Sequence, residues 1–65
     1  MNREKAIDVL DRAFGDQVSK LFSVLAAGEV AGEIEQSVAR FEKGFEIALD
    51  AYGRASAVVE KKFPD

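Results

Sequence analysis

The sequence predicts an all-α fold, an antiparallel two-helix hairpin that dimerises into a four-helix bundle. Three observations lead there. Apolar residues recur every three or four positions along most of the chain. Glycines interrupt that pattern once, near the middle. Each half also carries more apolar surface than a single helix–helix seam can cover.

The first helix is expected over about residues 3–27. Asn2 is a good N-cap residue. Ile7, Leu10, Phe14, Val18, Leu21 and Leu25 then share one helical face. Gly28 stands where a C′ glycine would close the helix. Gly15 is the one objection, since a glycine inside a helix costs about 1 kcal/mol relative to alanine. Gly15-Asp16 could be a break that divides the first half into two helices.

The turn is expected at about residues 28–31. It holds a small local repeat, Ala27-Gly28-Glu29-Val30 followed by Ala31-Gly32-Glu33-Ile34. The second helix is expected over about residues 31–62. Its stripe reads Ile34, Val38, Phe41, Phe45, Ala48 or Leu49, Tyr52, Ala55 and Val59, a heptad-like pattern. Lys61 and Lys62 suit the negative end of its dipole. The whole chain, 1–65, then forms one helical hairpin domain.

A reversal between Glu29 and Val30 would bring the two stripes together residue by residue. The expected pairs are Ile7–Tyr52, Leu10–Leu49, Phe14–Phe45, Val18–Phe41, Leu21–Val38 and Leu25–Ile34. A short connection favours such antiparallel neighbours.

Apolar residues remain outside that seam. Val9, Ala13, Ile47, Ala48, Ala51, Ala55, Val58 and Phe63 are expected to form an interaction surface. Small residues among them, with Gly44 and Gly53, would let another helix approach closely. The longer second helix should overhang the first near Ser56 to Phe63 and offer a docking end. A chain of 65 residues without cysteine has no disulfide to compensate for a small core, so a partner is the expected staple. That partner is a second copy, giving a homodimer, or another protein.

Composition narrows the function classes. Charged residues are 32% of the chain, with a net charge of −3 and no histidine. The acidic balance disfavours a nucleic-acid partner. No apolar run approaches the roughly 20 residues of a membrane span, so no membrane partner is expected. The N-terminus has no secretory pattern, and a cytoplasmic location is the default expectation. Ser19, Ser23, Ser37 and Ser56 have no histidine to activate them. Glu42 and Glu46 share a helix face but lack the histidine of a helical di-metal site. A non-enzyme without a cofactor is expected, acting as a protein–protein interaction module, adaptor or regulator. A heteromeric small chaperone or inhibitor is the alternative. Asp8–Arg12, Asp16–Lys20 and Asp50–Arg54 are spaced for ion pairs along a helix.

In length and layout the chain resembles the Rop family, small RNA-binding proteins that dimerise as a four-helix bundle of two hairpins. The resemblance implies RNA contact through the first helix, for which Arg3, Phe14, Gln17 and Lys20 are the nearest residues. Helical-hairpin secretion chaperones share the same layout.

Overall fold

The computed structural model describes residues 1–64 and consists of two antiparallel helices. α1 spans Arg3–Val30 and α2 spans Ile34–Lys62. Asn2 caps α1, its side chain accepting a hydrogen bond from the Lys5 backbone N–H at 2.8 Å. α1 passes through Gly15 without a break, so the hairpin has two helices rather than three. A Cβ at Gly15 would meet nothing within 4 Å. Gly15→Ala should therefore stabilise the fold by about 1 kcal/mol, the helix-propensity difference. Thermal melting checks this, and a lower melting temperature would show that Gly15 has a conformational role.

The turn sits later than the sequence suggested. Gly28 does not end α1, and the expected 28–31 turn is displaced to Ala31–Glu33. Gly32 is the residue with positive φ, +79°. Its N–H donates to the Glu29 carbonyl at 3.1 Å, and the Glu33 N–H reaches back to the Gly28 carbonyl at 2.8 Å. That pair of bonds is a Schellman closure with Gly32 at C′. A residue with a Cβ is strained at this φ, so the stop depends on Gly32.

Moving the turn changes the register. Leu21 faces Gly44 instead of Val38. Gly28 packs on Ser37. Tyr52 donates its hydroxyl hydrogen bond to Asp11 rather than standing against Ile7. Arg3 pairs with Glu60 at 2.7 Å, so the helix ends are level and the expected overhang of α2 is absent. Of the expected pairs, Phe14–Phe45 does meet, with ring centroids 6.2 Å apart.

α1 turns its expected stripe inward, with Ile7, Leu10, Phe14, Val18, Leu21 and Leu25 all half-buried. α2 keeps Phe41, Phe45, Ala48, Tyr52, Ala55 and Val59 on the inner side. Ile34, Val38 and Leu49, expected in the seam, are exposed. Ser37, Gly44, Ala48 and Ala55 lie on the inner line instead. Small residues there let the two backbones come together, whereas the larger side chains at 38 and 49 would hold them apart.

Candidate interaction surface

The hairpin has two broad sides, defined by which residues flank the seam. On one side lies an open groove of about 310 Å³ between the helices. Leu10, Ala13, Phe14 and Gln17 line it from α1, and Gly44, Ile47, Ala48, Ala51, Tyr52 and Ala55 from α2. Its depth follows from composition, because small residues at 13, 44, 48, 51 and 55 leave space between larger neighbours.

Five of the eight residues expected at an interaction surface line this groove: Ala13, Ile47, Ala48, Ala51 and Ala55. Ala48 is a partial correction, since it is only 9% exposed and belongs to the seam as much as to the surface. Gly44 and Ala55 also face the seam rather than forming a separate outer stripe. Val9 and Val58 are exposed, and helical spacing puts them on the same side as Ala13 and Ala51. Phe63 is half-buried, which fits the level helix ends and not a projecting docking end.

Phe14 is the centre of the ring contacts. Its centroid lies 5.2 Å from Tyr52 in an edge-on arrangement and 6.2 Å from Phe45. Phe45 stacks on Phe41 at 5.8 Å. The hydrogen bond to Asp11, reinforced by burial and by the Asp11 charge, pushes the Tyr52 hydroxyl pKa above 10.0. The Tyr52 hydroxyl, protonated at neutral pH as any tyrosine is, donates across the seam beside the aromatic cluster.

The residues suggested by the Rop resemblance fall along one side of α1 by helical spacing. Arg3 pairs with Glu60, Phe14 sits in the ring cluster and Gln17 lines the groove. Among the intrahelical ion pairs expected from spacing, Asp50–Arg54 closes at 2.9 Å. No helix among the described residues is long and apolar enough to cross a membrane. No protein-family model, curated protein or solved structure matches the chain significantly.

Phe22, like Val9 and Ala13, stands outside the α1 stripe. Helical spacing separates them in the folded hairpin. Val9, Ala13 and Val24 flank the groove, while Phe22 emerges on the opposite side, with Val38 and Leu49. The missing information was the direction of the seam, which decides on which side of it each flanking residue falls.

Proposed function

We propose that this chain is a non-catalytic interaction module that associates with a second copy through the grooved side, forming a four-helix bundle. The observation that carries the proposal is the poverty of the hairpin's own core. The buried hydrophobic residues are Ala6, at 6% exposure, and Ala48, at 9%. Every larger apolar side chain keeps part of its surface in water.

Surface area gives the scale. The hairpin exposes 5054 Å². A compact monomer of its 7.1 kDa mass would expose about 4,100 Å². The excess, about 1,000 Å², is comparable to the roughly 800 Å² each partner contributes to a standard stable interface. A second copy covering the groove would remove much of that excess and bury Ile47, Ala51 and Val58.

By helical spacing Lys20, Arg40, Arg54 and Lys62 fall on the groove side, with Asp16 one turn from Lys20.

Ala51→Glu tests the reading. Ala51 is exposed in the hairpin, so the substitution leaves the intrachain seam intact. In the bundle it would bury a charge without a partner, which costs several kcal/mol. Sedimentation should show a dimer for the natural chain and a monomer of reduced helicity for Ala51→Glu at the same micromolar concentration. A natural chain that melts cooperatively as a monomer, or an unchanged mass for the variant, refutes the proposal.

A further inference from the structure

The side opposite the groove has a different character. Phe22 is 63% exposed there, and Val38 and Leu49 are exposed beside it. Helical spacing puts Asp11 and Glu29 of α1 and Glu35 and Glu42 of α2 around this patch, with Glu4 and Asp8 farther along. By helical spacing the lysines and arginines other than Arg3 and Arg12 fall away from this side, and Arg12 lies on the outer face of α1, one turn from Asp8. Arg3 pairs with Glu60 at the edge of this side. The two sides of the hairpin thus differ in charge although both are apolar at their centres.

That difference decides what can cover the patch. A second copy docking here through the same side would oppose two sets of acids, and like charges across an interface weaken association. A cationic partner meets the opposite situation, with apolar contacts at Phe22, Val38 and Leu49 and a complementary rim. We infer that the Phe22–Val38–Leu49 side is a docking surface for a basic amphipathic helix of another protein. The geometry is a helix laid along an apolar strip with its lysines or arginines against the acidic border. The groove side remains available for self-association, so the chain can link its own dimer to a cationic partner.

The test uses the full chain and two synthetic amphipathic helices of equal length, one of leucine and lysine and one of leucine and glutamate. The leucine–lysine helix should bind, more weakly as salt rises. The leucine–glutamate helix should not. Leu49→Lys and Phe22→Ser lie on exposed positions, so the fold is retained, and each should weaken binding about tenfold or more, as loss of a central interface residue does. Equal binding of both peptides, no binding of either, or binding unaffected by both variants overturns the inference. Particles larger than a dimer that Leu49→Lys disperses would overturn it in favour of a second copy as occupant. Peptide binding retained by a monomeric Ala51→Glu chain would uphold this surface, and sedimentation of the same samples reports separately on self-association.

Discussion

Phe14→Ala should unfold the chain at room temperature or leave it with most of its cooperative melting lost. Phe14 bridges the helices at the ring cluster, touching Tyr52 at 5.2 Å and Phe45 at 6.2 Å between centroids. Truncating a core phenylalanine costs about 3–5 kcal/mol, and Phe14, half-buried beside the groove, should lose near the lower figure. A single core of this size rarely supplies more than about 3–5 kcal/mol in total. The two magnitudes are comparable, so the loss removes most of the stability of the fold. The groove adds to the effect, since Phe14 also lines the surface proposed to meet a second copy.

Phe22→Ala is the internal control. It removes the same ring from the same helix, but the ring is 63% exposed and lies away from the cluster. Its effect on melting should stay within about 0.5 kcal/mol, as for ordinary surface changes. Circular dichroism melts of both variants check the pair. If Phe14→Ala melts within a few degrees of the natural chain, the ring cluster does not hold the hairpin together.

The inner face of α1 was legible because its stripe is long and regular, from Ile7 to Leu25. The groove residues were legible because Ala13, Ile47 and Ala51 stand off that stripe. Register was not. Periodicity specifies which face turns inward, but the same face can slide along its partner. Moving the residue opposite Leu21 from Val38 to Gly44 is a slide of six positions along α2, about 9 Å at 1.5 Å per residue. The turn fixes that offset, and Gly28 and Gly32 offered two places for it, four residues apart. Only Gly32 has the positive φ that a Schellman closure needs. A sequence clue did exist in Ser37, Gly44, Ala48 and Ala55. Their recurrence on one α2 line marks where backbones approach, and it argues for small residues, rather than Val38 and Leu49, at the seam.

Gly28→Ala gives the second large effect and tests that close approach. Gly28 is helical and buried, so alanine gains about 1 kcal/mol in helix propensity. Against this, its Cβ would lie 1.5 Å from the Ser37 Oγ and 2.4 Å from the Ser37 Cβ. The hydroxyl could rotate away, but the Ser37 Cβ is fixed to its backbone, so α1 and α2 must separate. Overpacking of this kind costs about 1–3 kcal/mol, and adjustment of the entire hairpin end puts the expected loss near the upper figure. Gly44→Ala makes an informative comparison. The atom met there is the Leu21 Cδ2 at 2.5 Å, the far end of a flexible side chain that can turn aside. Gly44→Ala should thus be milder than Gly28→Ala. Adding Ser37→Gly to Gly28→Ala removes both clashing atoms and exchanges the small residue across the seam. It also removes the Ser37 hydroxyl, which is fully buried without a hydrogen-bond partner. A double-mutant cycle on melting free energies should show the double variant more stable than the two separate losses would sum to. Simple additivity would mean that residues 28 and 37 do not touch, and the register with Gly32 as the turn residue would fall with them.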